Sequence, residues 1–279
     1  MGFEETWTPA TEAGRDGVRA ILAAPGDAVI ALDFDGTLAP IVADPSAARA
    51  HPGVLDALRG LASAVGAVAV VTGRPAGLAV EYGGLAGVPG VVVLGHYGAE
   101  RWEGGELSAP QVHPGVARAR AALPDVLAAA GAPEGTWVED KGRSLAVHTR
   151  RTAAPERALE LLRAPVGELA AAHGLVVEPG RLVLELRPPG VDKGAALTDF
   201  LRERGARSVL YAGDDLGDLA AFAAVEELRA QGLAGVLVCA GAVGDAPVRE
   251  LADRADVVVD GPEGVVELLS ALGEAVRAR

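Results

Sequence analysis

Cysteine is almost missing from this chain of 279 residues. The single thiol, Cys239, excludes an intrachain disulfide. It sits in the apolar run Gly235-Val236-Leu237-Val238-Cys239-Ala240, which reads as a buried strand with a small core residue rather than a catalytic thiol. Aromatic residues make up 4% of the chain, so the core must be built mainly from Ala, Val and Leu. Lysine is also scarce, with only Lys141 and Lys193 against many arginines. A lysine retained where arginine is the usual cation points to a place that needs a compact ammonium rather than a planar fork. Positive charge is short overall, with a formal net charge of -13. That excludes a nucleic-acid backbone as partner, because such binding needs a basic surface. It does not exclude a small anionic substrate, since a few local cations and a metal ion can reverse the sign inside a cleft. No uninterrupted apolar run is long enough to span a bilayer, and no basic stretch followed by an apolar one opens the chain. A cytoplasmic protein without a membrane partner is expected, and the sequence sets no oligomeric state.

What is present is an alternation of short apolar runs with amphipathic segments. Ala28–Leu32, Val68–Val71 and Val91–Leu94 read as buried strands, with a helix at about 53–65 between the first two. Strands separated by helices imply a parallel sheet covered on both faces. The pattern changes near Trp102-Glu103-Gly104-Gly105. A helix, a hairpin (Trp137–Asp140 and Ser144–His148), a helix near 155–172 and two further strands joined by Pro179-Gly180 then suggest an antiparallel sheet. After Pro188-Pro189-Gly190 the parallel pattern resumes, with strands at Val209–Ala212, Val236–Cys239 and Val257–Val259. The expected fold is α/β: a Rossmann-like core of residues 1–105 and 188–279, interrupted by a smaller α/β insert of residues 106–187.

Four polar clusters follow predicted strands of the core, where open α/β sheets bind ligands. The first is Asp33-Phe34-Asp35-Gly36-Thr37. Two acids directly after an apolar strand are costly without a metal or hydrogen-bond partners. A carboxylate can attack phosphorus, and its acyl phosphate is easily hydrolysed. An acid two residues on can protonate a leaving oxygen and then activate water. The second cluster, Thr72-Gly73-Arg74, can bind phosphate oxygens through a hydroxyl and an amide. The third is Lys193 at a helix start, where an ammonium and the helix terminus both oppose negative charge. The fourth, Asp214-Asp215-Leu216-Gly217-Asp218, offers hard oxygen ligands of the kind that Mg²⁺ takes. Each cluster alone has an ordinary reading as a turn, a cap or a surface group. Their order and their common place at strand ends point to a magnesium-dependent phosphoryl-transfer enzyme.

These clusters resemble the motifs of the haloacid dehalogenase (HAD) superfamily of phosphatases across nearly the whole chain. The resemblance implies Asp33 as nucleophile, Asp35 as general acid/base, and Thr72 and Lys193 as holders of the phosphoryl group. It implies Mg²⁺ as cofactor on Asp33, the Asp35 backbone carbonyl and Asp214, with Asp215 and Asp218 bound directly or through water. Thr37, Gly73 and Arg74 would line the phosphate site. The insert would correspond to the superfamily's cap, which selects the substrate and closes over it.

Within the superfamily, the trehalose-6-phosphate phosphatase family is similar in four stretches: Leu38-Ala39-Pro40-Ile41, Gly95–Glu100, Glu139–Arg150 and Glu185-Leu186-Arg187-Pro188. This implies a sugar-phosphate substrate, hydrolysed as the last step of trehalose biosynthesis. Glu139, Lys141 and Glu185 would bind sugar hydroxyls, while His96 and Glu100 would line the cleft from the core. The alternatives are an HAD phosphatase for sucrose 6-phosphate or mannosyl-3-phosphoglycerate, or a non-catalytic sugar-phosphate sensor.

Overall fold

The computed structural model describes residues 7–42, 44–180, 182–241 and 248–278, so the expected outer bounds at 1 and 279 lie outside the described residues. The chain opens with α1 (Glu12–Ala23), capped by Thr11, whose Oγ1 accepts from Gly14 N at 3.0 Å. Then follow β1 (Ala28–Leu32), α2 (Val54–Ala62), β2 (Ala67–Val71), α3 (Ala76–Gly83) and β3 (Val91–Gly95). β4 (Glu100–Glu103) and β5 (Glu106–Ser108) form a hairpin across Gly104-Gly105. Next come α4 (Pro114–Ala129), β6 (Trp137–Asp140), β7 (Leu145–His148), α5 (Pro155–Ala172), β8 (Val176–Gly180) and β9 (Val183–Arg187). The chain continues through α6 (Lys193–Glu203), β10 (Ser208–Gly213), α7 (Leu219–Ala230), β11 (Ala234–Gly241), α8 (Arg249–Ala252), β12 (Val257–Asp260) and α9 (Gly261–Arg277).

The larger sheet has eight strands in the order β12-β11-β10-β1-β2-β3-β4-β5. The six from β12 to β3 run parallel, which fits their continuous apolar runs buried on both faces. Alternate residues serve opposite faces. Ile30, Leu32, Val68, Val70, Val93, Leu210 and Val236 pack with α1, α2 and α9. Val29, Ala31, Ala69, Val71, Tyr211 and Leu237 pack with α6 and α7.

The β4–β5 hairpin extends this central parallel sheet antiparallel at one edge. Its residues are mostly polar, with Trp102 opposite Leu107 the one apolar pair, and carry no apolar run. Residues 106–108, read from the sequence as the start of the insert, therefore pair in the larger sheet. The chain divides into two compact units, residues 1–109 with 192–279, and residues 110–191.

In the second unit the sheet order is β6-β7-β9-β8, antiparallel throughout. One face, with Leu145, Val147, Leu184 and Leu186, packs on Val116, Leu123, Leu162 and Val166 of α4 and α5. The alternating residues make the other face polar. Glu139, Ala146, Glu185 and Glu178 stand in one cross-strand row.

Candidate active site

β1 is apolar over its whole length, and its ladder runs on into the first acid, where Asp33 N donates to Ala212 O of β10 at 2.9 Å. The chain then turns tightly, with Gly36 N donating to Ala39 O at 2.7 Å. Gly36 has φ of +82°, and a Cβ there would lie 2.0 Å from Asp214 Oδ2. Only glycine leaves room for this carboxylate. The β1 and β10 strand ends thus bring Asp33 and Asp214 together from positions far apart in the chain.

Lys193 opens α6 behind its N-cap Asp192, whose Oδ1 accepts from Ala195 N at 2.8 Å. Its side chain is buried, and Nζ lies 2.8 Å from both Asp33 Oδ1 and Asp218 Oδ1. Burial works against the ammonium, but Asp218, Asp33, Tyr211 and Asp215 together hold its pKa above the ordinary lysine range. Burial also pushes the Asp33 carboxyl well above its usual range, with Lys193 pulling it back and Asp218 and Asp215 adding to the rise. Burial pushes Asp214 up to about 10, reinforced by Asp33 and Asp218.

Asp218, expected to support Mg²⁺ directly or through water, is held in a web of hydrogen bonds. It is fully buried, and each oxygen already accepts two donors. Oδ1 takes Lys193 Nζ at 2.8 Å and the Tyr211 hydroxyl at 2.6 Å; Oδ2 takes the amides of Asp214 at 3.0 Å and Asp215 at 3.2 Å. Its oxygens come within 4.8 Å of those of Asp33 and Asp214, which could together hold a cation. The hydrogen bonds favour the reading of Asp218 as a tie between β10, the loop after it and α6. Asp215 Oδ1 caps the following turn through Gly217 N at 2.8 Å.

The residues fit a divalent cation. Asp214 Oδ1 is buried and accepts from no group among the described residues. It stands beside a second carboxylate, and oxygen donors suit Mg²⁺. Asp214 holds a proton in the folded state between its ordinary value of 3.8 and about 10, where the unfolded chain has released it. Stability in chelator should therefore fall as pH rises through this window. Millimolar Mg²⁺ should raise the melting temperature by roughly 5 °C near pH 8, and by clearly less near pH 5. Thermal melts with Mg²⁺ or chelator at both pH values test this, and equal shifts at the two would contradict it.

Thr72 and Arg74 lie beyond β2. Thr72 is buried and its Oγ1 accepts from Arg74 N at 3.1 Å. The Gly73 backbone lies against Tyr97, where an added Cβ would meet the hydroxyl at 2.7 Å. Thr37 is fully buried, and its Oγ1 has no hydrogen-bond partner among the described residues. Arg74, expected to line the phosphate site, forks Asp35: Nε donates to Oδ2 and Nη2 to Oδ1, both at 2.6 Å.

His96 and Glu100, expected to line the cleft from the core, also meet the neighbouring backbone. His96 N donates to Arg74 O at 2.8 Å, and Tyr97 N to Thr72 O at 2.9 Å. Both residues have positive φ, 47° and 57°, at a cost of about 1–3 kcal/mol each. Glu100 Oε2 accepts from Ala76 N at the start of α3, at 2.9 Å. Sequence reasoning gave no role to Tyr97 or Tyr211, whose phenols reach the second and fourth clusters; Tyr97 lies in the family-like stretch Gly95–Glu100, and no pattern marked Tyr211.

In the second unit, Lys141 Nζ donates to Glu185 Oε2 at 3.0 Å and Ser144 Oγ to Glu185 Oε1 at 2.6 Å. Glu139 Oε2 lies 3.0 Å from His148 Nε2, and the His148 ring stacks on Trp137 with centroids 4.1 Å apart. Glu139, Lys141 and Glu185 therefore share the polar face of one sheet.

A mostly parallel sheet thus carries paired aspartates after one strand, a lysine at a helix start and a further aspartate after the adjacent strand, and solved hydrolases share this fold. A haloacid dehalogenase-like hydrolase from Bacteroides thetaiotaomicron superposes with a TM-score of 0.56 at 18% identity, over 86% of this chain and 97% of that one. The C-terminal domain of Candida albicans trehalose-6-phosphate phosphatase gives 0.73 at 21% identity, covering 96% of this chain and 99% of that one. The sequence profile described as trehalose-phosphatase matches residues 31–257, and the chain belongs to that family. A trehalose-phosphate phosphatase of Mycobacterium tuberculosis is 38% identical over 211 residues, 68% of this chain and 49% of the relative. The chain thus spans about half the length of the curated relatives it matches. Among the described residues, no helix is long and apolar enough to cross a membrane.

Proposed function

We propose that this protein is a phosphomonoesterase that hydrolyses trehalose 6-phosphate to trehalose and phosphate. The observation that carries the reading is Asp33, buried at the end of β1 against Lys193 and beside Asp214. Asp33 Oδ attacks phosphorus in line, and the bond from phosphorus to the sugar oxygen breaks. Asp35 gives its proton to that oxygen, and trehalose leaves. Water then attacks the aspartyl phosphate, Asp35 takes its proton, and Asp33 is regenerated with release of phosphate.

Lys193, Thr72 and the Gly73 amide stabilise the equatorial oxygens of the transferring group. Bound Mg²⁺, held by Asp33, Asp214 and the Asp35 carbonyl, would supply further positive charge at those oxygens. Asp215 supports the loop that carries Asp214. Thr37 supplies a buried hydroxyl next to Asp35. His96 and Glu100 hold the Thr72–Arg74 loop and α3 in place. Glu139, Lys141 and Glu185 take the hydroxyls of the sugar, giving the second unit the choice of substrate.

A phosphate-release panel with Mg²⁺ tests the reading. Trehalose 6-phosphate should exceed sucrose 6-phosphate, mannosyl-3-phosphoglycerate and an aryl phosphate in kcat/KM. Lys141→Ala and Glu185→Ala should each lose roughly 10- to 100-fold on trehalose 6-phosphate, the worth of a charged hydrogen bond. They should change aryl phosphate turnover only a few-fold. Equal losses on both substrates would remove the sugar-binding role, and absence of phosphate release from every ester would favour the sensor.

A further inference from the structure

Asp35 is asked to pass a proton to the leaving oxygen, yet both of its oxygens are engaged. The Arg74 guanidinium holds them by two hydrogen bonds of 2.6 Å each. A carboxylate clasped in this way cannot present a proton to a third group, so the observed pairing is a resting arrangement. It must open before the acid step. Arg74 itself is two residues from Thr72 and follows Gly73, in the loop that receives the phosphoryl group. Its side chain is 13% exposed and that of Asp35 is 32% exposed, so the pair lies partly open rather than locked in the core. The guanidinium also lies 5.4 Å from the Tyr82 ring centroid and 5.7 Å from that of Phe34. Those aromatic contacts steady the side chain without supplying a competing hydrogen bond.

A phosphoryl dianion offers the guanidinium fork the same bidentate geometry as a carboxylate, with more charge. We propose that Arg74 is a positioning residue that exchanges partners: it clasps Asp35 in the resting protein and is drawn to the phosphoryl oxygens on binding, which frees Asp35 for proton transfer. This rests on the phosphatase reading of the site. It adds that phosphate and Asp35 compete for one cation, so proton transfer is enabled only when a phosphoryl group is present.

The competition predicts a gain where a loss is the ordinary result of changing a catalytic group. Asp35→Asn leaves Arg74 without its carboxylate and should tighten inorganic phosphate binding in Mg²⁺ roughly 5- to 10-fold, an exchange worth about as much as one ordinary hydrogen bond. Isothermal titration with inorganic phosphate is run on the wild type, Asp35→Asn, Arg74→Met and the double variant, each confirmed folded by its thermal melt. In the Arg74→Met background, Asp35→Asn should change phosphate affinity less than 2-fold. Methionine keeps an apolar stem against Tyr82, and the second background keeps the comparison valid if Arg74→Met shifts the baseline. An equal gain in both backgrounds would mean simple removal of a like charge and would overturn the exchange, as would no gain in either. Release of phosphate from trehalose 6-phosphate together with equal gains overturns the exchange alone. Failure of all four proteins to bind phosphate overturns both the exchange and the reading beneath it.

Discussion

Asp33→Asn should lower turnover of every phosphate ester by at least about 10⁴-fold, the scale seen when a nucleophile is removed from an intact site. The amide keeps the shape of the carboxyl but cannot form the acyl phosphate. Stability should hardly suffer. Burial already works against the Asp33 charge, and Lys193 keeps its 2.8 Å contact with Asp218 after the change. The melting temperature should stay within about 3 °C of the wild type, equivalent to roughly 1 kcal/mol in a domain of this size. Single-turnover phosphate release and a thermal melt on the same sample separate the two effects. Turnover above one part in a hundred would remove Asp33 as nucleophile, whereas a collapsed melt would show that its charge is structural.

The second large effect is expected at Asp218. Asp218→Ala deprives the Lys193 ammonium, the Tyr211 hydroxyl and the amides of Asp214 and Asp215 of their shared acceptor in one step. Lys193 keeps its contact with Asp33, but the buried Tyr211 hydroxyl, the two amides and one bond of the ammonium lose their acceptor, at a cost of about 3–5 kcal/mol in all. That corresponds to a fall of roughly 10 °C in melting temperature. Activity should vanish as well, because Lys193 and the Asp214 loop lose their positions. The discriminating condition is excess chelator. A residue that serves only as a metal ligand would cost nothing there when removed. The hydrogen-bonded tie should cost nearly as much in chelator as in Mg²⁺, as measured by urea denaturation. A stability loss confined to Mg²⁺ would restore Asp218 to the cation.

The reaction centre was readable from the sequence because each cluster follows an apolar run. Buried parallel strands such as Ala28–Leu32 and Ala67–Val71 are apolar at every position, so their ends stand out. Polar residues just beyond them fall at the sheet's carboxyl edge by necessity. The hairpin Glu100–Ser108 was not readable in this way. It is a short edge element whose apolar pair, Trp102 and Leu107, is too sparse to make a run, and only Gly104-Gly105 marked a turn. The partner choices inside the site were also hidden. Arg74 pairs with a residue 39 positions away, and Asp218 with one 25 away. The family resemblance implied phosphate for Arg74 and the cation for Asp218; the hydrogen bonds add partners that spacing does not encode. The left-handed backbone at His96 and Tyr97 is held by bonds to the Thr72–Arg74 loop, so nothing local announces it.

The scarcity of lysine has a practical consequence at the bench. Each compact unit holds one: Lys141 in residues 110–191, and Lys193 in the other unit. The first is ion-paired with Glu185 and the second is buried between two aspartates. A lysine-specific endoprotease therefore meets two internal target bonds. The one after Lys141 lies in a hairpin turn beside exposed Gly142, open to nicking in the folded protein. The one after Lys193 is buried at the start of α6 and is cut only when its unit opens. One digestion thus reads the opening of that unit from a chain that carries no added label.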